Sequence, residues 1–283
     1  MLTIAYLGPE HTNTHAAAQK RFGQRCKYVH APTIEDVFHS VERRKVDYGV
    51  VPIENSLEGA VTHTLDRFID FVDTPVKIHG EREQQIHHCL IVHRGVKTTD
   101  VRRVYSHPQA LAQCREWLDR HVPRAPRLET NSTAEAVGRL FSKNMSGSIG
   151  SIMMKDYAAI GREELALQYR LKAVPIPDRR ENKTRFLIIG LGNPKRGPSN
   201  KTSILFGVKD KPGALHEALL AFKRERINMT KIESRPSKRK AWEYLFFVDI
   251  EGHESEPRVR RALVALRRST SLLRVLGSYP VAR

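Results

Sequence analysis

Short apolar runs alternate with segments of helical spacing through the first 190 residues of the chain. The alternation of Leu2, Ile4 and Tyr6 predicts a first strand, and the apolar run over 46–53 predicts another. The sequence T-I-E-D, which begins at Thr33, is a capping signature for a helix that reaches about residue 44. Alternating strands and helices of this kind predict a mostly parallel sheet that is covered on both faces.

Further elements follow the same alternation along the chain. Apolar runs predict strands over 84–93, 101–107 and 147–152. Helical spacing predicts helices over 15–22, 59–71, 108–121 and 132–143.

A different pattern begins after residue 190. The stretch 190–200, GLGNPKRGPSN, is rich in glycine and proline and predicts a linker, since it lacks the G-x-G-x-x-G spacing of a dinucleotide loop. Beyond it the predicted order is strand 201–208, helix 213–226, strands 227–235 and 241–251, helix 255–268 and strand 271–279. This βαββαβ order is that of a ferredoxin-like domain.

Composition limits the class of protein. The chain has 283 residues, of which 40% are hydrophobic, enough for more than one core. No apolar run reaches the roughly 18 residues of a membrane span, and the N-terminal residues do not resemble a signal peptide. Cys26, Cys89 and Cys114 show no C-x-x-C spacing, which favours reduced thiols over a disulfide framework. We therefore expect a cytoplasmic protein without membrane association.

The formal net charge of +17 permits contact with nucleic acid. No RNA- or DNA-binding signature accompanies the charge, however. An anionic small substrate, or solubility alone, accounts for the charge more simply, and we expect no nucleic-acid partner.

Polar side chains follow directly after the strand over 46–53. Glu54, Asn55 and Ser56 succeed Pro52 in the sequence VPIENS. Ligands of α/β sheets bind beyond the carboxyl ends of strands, so a carboxylate, an amide and a hydroxyl here fit a polar site. A strand that ends in a turn and a helix cap explains the same residues equally well, and both interpretations stay open.

Two other segments place polar groups at predicted helix starts. Thr12 and Thr14 precede an alanine-rich helix, where backbone N–H groups can hold an anion, although ordinary capping by threonine is the simpler interpretation. Ser106 ends a strand, and Gln109 and Gln113 lie one helical turn apart. They can hold a polar ligand or form a solvated helix face.

Thr184 and Arg185 lead into an apolar strand. A threonine hydroxyl can donate a hydrogen bond, and an arginine can bind a carboxylate through two nitrogens. His87, Cys89 and His93 share one face of a predicted strand, as metal ligands would. No other residues complete such a site, and we expect no metal.

Six segments, taken in order, resemble the prephenate dehydratase family followed by its ACT regulatory domain. They are GPEHTNTHAAA (8–18), VPIENSLEG (51–59), SHPQALAQC (106–114), TRF (184–186), GALHEALLAFKRERINMTKIESRP (213–236) and YLFFVDIEGH (244–253). The resemblance covers nearly the whole chain.

The resemblance implies a fold. The catalytic domain, 1–190, would consist of two α/β lobes like those of periplasmic binding proteins, with the site between them. Lobe one would span about 1–78 and 170–190, and lobe two about 79–169. A linker over 191–200 would lead to a ferredoxin-like ACT domain over 201–283.

The resemblance also implies an activity. Prephenate would lose carbon dioxide and its ring hydroxyl to give phenylpyruvate, without a cofactor, in L-phenylalanine biosynthesis. L-Phenylalanine would act as a feedback inhibitor, and ACT domains would pair in a homodimer or homotetramer. Arogenate dehydratase and a catalytically degenerate amino-acid sensor are the alternatives.

Residue roles carry over by position. Thr184 and Glu54 would be catalytic, with Thr184 assisting departure of the hydroxyl. The substrate-binding residues would be Thr12, Asn55, Ser56, Ser106, Gln113, Arg185 and Phe186, with Arg185 either binding a carboxylate or bracing its loop. The effector-binding residues would be Gly213, Ala214, Leu215, Glu233, Ser234, Arg235 and Pro236.

Two segments depart from the family pattern. His11 stands where the family has glycine, and Asn13 stands where it has an aromatic residue. In some relatives an acidic residue precedes the helix that begins near residue 132. Thr130 and Asn131 occupy that place here, with Glu129 nearby, which leaves the second carboxylate of the site open.

Overall fold

The computed structural model describes residues 1–141, 156–176, 181–238 and 242–281. The strand expected over 147–152 and the last residues of the helix expected over 132–143 lie outside this part of the chain. The chain forms two compact units. Unit 1 comprises Met1–Leu7, Ala17–Gln84 and Thr184–Arg283, and unit 2 comprises Gly8–Ala16 and Gln85–Lys183.

The described strands and helices have the following bounds. The strands are β1 (Thr3–Leu7), β2 (Lys27–Ala31), β3 (Tyr48–Asn55), β4 (Gly59–Ala60), β5 (Val76–Gln85), β6 (His88–Val92), β7 (Arg103–Ser106), β8 (Arg127–Glu129), β9 (Tyr157–Gly161), β10 (Lys172–Ile176), β11 (Lys183–Leu191), β12 (Asn200–Val208), β13 (Met229–Pro236), β14 (Tyr244–Glu251) and β15 (Thr270–Pro280). The α-helices are α1 (Asn13–Phe22), α2 (Ile34–Glu42), α3 (Thr62–Asp70), α4 (Pro108–Gln113), α5 (Arg115–His121), α6 (Thr133–Gly138), α7 (Glu163–Gln168), α8 (Ala214–Arg224) and α9 (Pro257–Ser269). Short 3-10 turns occur at Thr98–Asp100 and Arg139–Phe141.

The first sheet has the strand order β2-β1-β3-β11-β5, with β4 paired to β3. β1 is parallel to β2 and β3, whereas β11 is antiparallel to β3. The sheet is therefore mixed, and the expectation of a mostly parallel sheet is wrong here because the chain returns through β11 in the opposite direction. Its core includes Val37, Phe38, Leu65 and Phe68.

The second sheet has the order β10-β6-β9-β7-β8. β6 is antiparallel to β9 and β10, and β7 is parallel to β8 and β9. The strand expected over 84–93 is divided, since β5 ends at Gln85 and β6 begins at His88. The sheets differ from the expected bounds of lobe one, about 1–78 and 170–190. β5 belongs to the first sheet and extends past residue 78, and β10 pairs with β6 in the second sheet.

Local signals account for several helix boundaries. The Thr33 side chain accepts a hydrogen bond from Asp36 N (3.1 Å) and the Asp36 carboxylate accepts one from Thr33 N (3.2 Å), which confirms the expected capping box of α2. Pro108 occupies the first turn of α4, where its missing N–H costs nothing. The helix expected over 108–121 is interrupted at Cys114, which separates α4 from α5.

Residues 200–280 form the expected βαββαβ arrangement. The antiparallel sheet has the order β13-β14-β12-β15, and α8 and α9 cover the face that carries Phe206, Val248 and Ile250. The opposite face contributes Phe247 and Tyr279 to the core that also contains Phe68. The fold is thus two α/β lobes of the periplasmic-binding-protein type with a ferredoxin-like ACT domain.

Glycine allows one close approach within unit 1. A Cβ atom on Gly277 of β15 would lie 2.2 Å from the carbonyl oxygen of Ile78 of β5, so no other residue fits there. Among the described residues, no helix is both long enough and apolar enough to span a bilayer.

Candidate active site

The pairing of β3 with β11 places two conspicuous sequence segments side by side. Thr184 lies opposite Asn55, and Arg185 lies opposite Glu54. A register shift between Arg185 and Phe186 follows, and Phe186 then lies opposite Pro52. Directly opposed residues on one face of an antiparallel pair have Cβ atoms about 4.5–5.5 Å apart, so their side chains interact.

Asn55 holds the Thr184 hydroxyl through a hydrogen bond. Asn55 Nδ2 donates to Thr184 Oγ1 at 3.0 Å. The other side of the amide, Asn55 Oδ1, accepts from Leu57 N at 2.9 Å and Glu58 N at 3.2 Å, so the following turn fixes the orientation of the amide. A hydroxyl that accepts from an amide keeps its own hydrogen for donation. Ser56 lies in this turn and is exposed.

The Glu54 carboxylate is held by two cations. It contacts the Arg185 guanidinium and lies 3.0 Å from Lys231 Nζ. Burial raises the pKa of Glu54, but the hydrogen bond and charge of Lys231 and the charge of Arg185 outweigh burial and lower the pKa below its usual value of 4.5. Glu54 is therefore an ionised carboxylate at neutral pH and cannot supply a proton.

Arg185 is surrounded by carboxylates of the protein itself. Besides Glu54, its Nη1 lies 3.1 Å from a carboxylate oxygen of Glu81 and 3.1 Å from one of Asp249, and its side chain is only 13% exposed. Burial alone would lower the pKa of Arg185, but these three carboxylates raise it. Of the two expected roles, the structure favours bracing over binding of a substrate carboxylate.

Phe186 lies in the hydrophobic core and not at a surface. Its side chain is 1% exposed and belongs to the cluster that includes Ile4, Tyr6 and Val50. This environment gives Phe186 a packing role, which differs from the expected contact with substrate.

Thr12, which lies in unit 2, caps the start of α1. Thr12 Oγ1 accepts from His15 N at 3.3 Å, and its carbonyl oxygen accepts from Arg162 Nη1 at 3.3 Å. His11 N donates to His15 Nδ1 at 3.0 Å. Burial and the neighbouring His11 lower the pKa of His15, which fits a neutral ring that accepts this bond.

His11 adopts a conformation that favours glycine. Its φ angle is +65°, in the left-handed region, where a side chain costs about 1–2 kcal/mol. Glycine, which the family pattern has at this position, adopts this angle without that cost. Its ring also lies 3.0 Å from Gln168 Nε2.

Ser106 and Gln113 are both buried in unit 2, whereas Gln109 is exposed. Ser106 Oγ donates to the Ile160 carbonyl at 3.0 Å, which ties β7 to β9. Gln113 Oε1 accepts from Asn182 Nδ2 at 2.8 Å and lies 2.8 Å from His88 Nε2. Burial lowers the pKa of His88, so the ring is neutral and its N–H donates to Gln113.

The segment around Thr130, where some relatives carry an acidic residue, forms a helix cap. Thr130 is buried and Glu129 is exposed. Asn131 N donates to Glu135 Oε2 at 3.1 Å, and Glu135 N donates to Ser132 Oγ at 3.0 Å, so Glu135 serves the start of α6.

The histidine and cysteine residues considered as metal ligands lie in different environments. His87 is exposed, Cys89 is buried with its pKa raised to about 11 by burial, and His93 Nε2 lies 3.3 Å from the Leu140 carbonyl. Within the described part of the chain, no group of three or more His, Cys, Asp or Glu residues could hold a metal ion.

A cavity of about 550 Å³ lies at the start of α8 and beside β13 and β14. Four of the expected effector-binding residues line it, namely Gly213, Ala214, Leu215 and Ser234. Gly213 has φ +77°, the left-handed region that glycine tolerates.

The other three expected effector residues are not among the residues that line this cavity. Successive residues of β13 alternate between faces of the sheet. Arg235 Nε and Nη2 lie 3.0 and 3.2 Å from the carboxylate of Asp66 in α3. Glu233 is half-buried between Lys231 and Arg235 on that same face, and Pro236 is exposed at the end of the strand.

Comparison with known proteins decides the family. The prephenate dehydratase family model matches residues 4–194. The chain belongs to the prephenate dehydratase family. The ACT domain model matches residues 202–268, which lie in the βαββαβ region.

Several prephenate dehydratases are similar over most of the chain. A bifunctional chorismate mutase/prephenate dehydratase of Aquifex aeolicus is 46% identical over 99% of this chain and 74% of its own length. A prephenate dehydratase of Methanocaldococcus jannaschii is 41% identical over 90% of this chain and 88% of its own. The crystal structure of prephenate dehydratase from Arthrobacter aurescens in complex with L-Phe has a TM-score of 0.87 and 32% identity, covering 100% of this chain and 90% of that one.

Several residues that contact the candidate site residues were not predicted from the sequence. Asn182 donates a hydrogen bond to Gln113. Because Asn182 lies two residues before Thr184, the sequence could have identified it as a site residue. Asp249 stands in the otherwise apolar run YLFFVDI, where a lone charge indicates a buried partner. Glu81 and Lys231 carried no such local signal.

Proposed function

We propose that the protein converts prephenate to phenylpyruvate. The carbon–carbon bond to the ring carboxylate breaks, its electron pair enters the ring, and the ring carbon–oxygen bond breaks with its pair on oxygen. Carbon dioxide leaves, and the departing hydroxide takes one proton from solvent to become water. Aromatisation drives the reaction, so the protein has mainly to orient the dianion and assist the leaving oxygen.

The observation that carries the proposal is the Asn55–Thr184 hydrogen bond. Because Thr184 Oγ1 accepts from Asn55 Nδ2, its hydrogen is directed to a different acceptor. That acceptor is the ring hydroxyl of prephenate, whose negative charge grows as the carbon–oxygen bond breaks. Donation to a charge that develops only in the transition state lowers the barrier without tightening substrate binding.

Other residues serve binding and orientation. Arg185 is engaged by three carboxylates, so the substrate carboxylates need other partners. Ser56, in the exposed turn after β3, is one such partner. Thr12 and Gln113 stay predicted substrate-binding residues. Ser106 positions β7 through its bond to Ile160, and Glu54 acts as the charge partner of Arg185.

The cavity beside α8 is the proposed binding site for L-phenylalanine as an allosteric inhibitor. The first turn of α8 offers N–H groups to a carboxylate, and Asp210 at the cavity can pair with an ammonium group. β13 is an edge strand with Ile232 exposed, which supports pairing of ACT domains in a homodimer or homotetramer. Cys26, Cys89 and Cys114 are free thiols, which suits the cytoplasm.

One assay tests both parts of this proposal. Purified protein is given prephenate or arogenate, with and without L-phenylalanine, and phenylpyruvate and phenylalanine are quantified. Phenylpyruvate formation that phenylalanine suppresses is expected. Faster turnover of arogenate would make the protein an arogenate dehydratase, and no turnover of either substrate combined with phenylalanine binding would favour the amino-acid sensor.

A further inference from the structure

Six charged side chains form one group around Arg185, here called the Arg185 cluster. Its members are Glu54, Glu81, Arg185, Lys201, Lys231 and Asp249. Three are cations and three are carboxylates, so the formal charges cancel.

Short contacts connect every member of the cluster. Lys231 Nζ lies 3.0 Å from Glu54 Oε1, and Lys201 Nζ lies 2.9 Å from Glu81 Oε1. Asp249 Oδ2 lies 3.1 Å from Arg185 Nη1, and its other oxygen accepts from Ser203 Oγ at 2.5 Å. The Lys231 and Asp249 side chains are 7% and 3% exposed, so solvent screens them little.

The cluster joins the regulatory region to the site. Lys201, Lys231 and Asp249 belong to β12, β13 and β14 of the ACT domain. Glu54 and Arg185 are the chain neighbours of Asn55 and Thr184 in the paired strands β3 and β11. In a charge-matched group of this kind, removing one partner leaves an uncompensated charge that forces its neighbours to rearrange.

We propose, on the basis of the dehydratase activity proposed above, that Lys231 and Asp249 are positioning residues for this reaction. Lys231 holds Glu54 and Asp249 holds Arg185, and the two held side chains fix the strand positions that align the Asn55 amide with the Thr184 hydroxyl. Neither residue touches the substrate. The ACT domain thereby contributes to the geometry of the site in the absence of any effector.

The position of Lys231 on β13 gives this arrangement a regulatory use. Ser234 of the same strand lines the cavity, three residues or about 10 Å along the strand from Lys231. A ligand that displaces β13 at the cavity displaces the partner of Glu54 with it.

The test measures steady-state kinetics with prephenate, without phenylalanine, for Lys231→Met, Lys231→Arg and Asp249→Asn. Asp66→Asn is the matched control, because it breaks the ion pair of Arg235, which lies on the same face of β13 but away from Thr184. Glu54 is 35% exposed, so solvent can stabilise its charge when Lys231 is lost and Lys231→Met should fold. Thermal denaturation checks that each variant does.

Lys231→Met and Asp249→Asn are expected to lower kcat at least about tenfold with KM changed less than about twofold, since a misaligned donor affects the transition state alone. Lys231→Arg should keep most of kcat, and Asp66→Asn should keep all of it. In a Glu54→Gln background, adding Lys231→Met should lower kcat by less than about a further twofold, because Lys231 acts through Glu54. If Lys231→Met and Asp249→Asn both fold and both keep the wild-type kcat, the proposal is overturned.

Crystal structures of the same variants separate this proposal from the activity. In Lys231→Met the distance from Asn55 Nδ2 to Thr184 Oγ1 should exceed hydrogen-bonding range, and in Lys231→Arg it should not. An unchanged distance in Lys231→Met would refute the positioning role even if the wild-type protein formed no phenylpyruvate. If the distance changes as expected in Lys231→Met but the wild-type protein has no activity, only the dehydratase proposal is refuted.

Discussion

Thr184 and Asn55 are 129 residues apart in the chain, yet they oppose each other across β11 and β3, and Asn55 Nδ2 donates to Thr184 Oγ1 at 3.0 Å. The turn after β3 fixes the Asn55 amide through the N–H groups of Leu57 and Glu58. Backbone geometry therefore fixes the amide that contacts Thr184 Oγ1, and in the proposed reaction the threonine hydroxyl acts as a hydrogen-bond donor.

Replacement of the Thr184 hydroxyl should remove most of the activity. Thr184→Val keeps the shape and β-branching of the side chain but loses the donor, and kcat for phenylpyruvate formation should fall about 10²–10³-fold with little change in KM. Thr184→Ser is the control, since it keeps the hydroxyl, and it should retain far more activity than Thr184→Val. Equal rates in wild type and Thr184→Val would show that Thr184 takes no part.

Exchange of Asn55 for aspartate should reverse the hydrogen bond. In Asn55→Asp one carboxylate oxygen still accepts from the following turn, but the other now accepts from Thr184, whose hydrogen then turns away from the substrate. We expect kcat to fall about 10²-fold, comparable to the loss of one oxyanion donor. The double variant Asn55→Asp/Thr184→Val should be no slower than Thr184→Val, and an additive loss in steady-state assays would contradict the shared role.

His11 should carry a removable backbone strain. The left-handed φ of +65° costs about 1–2 kcal/mol for a side chain, which exceeds the roughly 0.4–1 kcal/mol by which glycine favours the unfolded chain. His11→Gly should therefore be about 0.5–1 kcal/mol more stable than His11→Ala in urea unfolding. Both variants keep the backbone hydrogen bond to His15 and lose the contact of the His11 ring with Gln168. The difference between them therefore isolates the strain, and a less stable glycine variant would rule it out.

Ser234 and Glu233 should differ in their effect on feedback inhibition. Ser234 lines the cavity beside α8, while Glu233 lies on the opposite face of β13. Ser234→Ala should raise the concentration of L-phenylalanine needed for half-inhibition several-fold, which is the change in affinity expected when one hydrogen bond is lost. The uninhibited activity should not change. Glu233→Gln is the matched neighbour and should leave inhibition unchanged. The reverse result would place the effector on the other face of the strand.

Glu54 should contribute stability that disappears in acid. Its folded-state pKa is lowered, so its contribution is complete above the unfolded value of about 4.5 and is lost as the pH falls through the lower folded value. Glu54→Gln should have a lower Tm than wild type at pH 7. The two Tm values should converge as the pH falls below about 4.5 and then through the lower folded-state pKa of Glu54, where the wild-type carboxylate becomes protonated. A constant difference across this range would exclude ionisation of Glu54 as the cause.

Local patterns in the sequence predicted a large part of the fold. The capping box at Thr33, the proline at the start of α4 and the βαββαβ order after residue 200 all depend on neighbouring residues, and all are present. β2 and β5 were not predicted. β2 is an edge strand that is mostly exposed, and β5 carries Glu81, whose burial depends on Lys201 and Arg185 far away in the chain.

The sequence by itself predicted which residues belong to the site. Motifs near Asn55 and Thr184 identify them because a backbone turn and a short run of residue types are encoded locally. Only the tertiary structure decided which groups these residues meet. Strand register and sheet face set whether Arg185 faces substrate or three carboxylates, whether Phe186 faces a cleft or a core, and whether Arg235 faces a cavity or Asp66. A one-residue shift in register reverses every such choice, and for Arg185 and Phe186 that register depends on pairing between segments more than 100 residues apart.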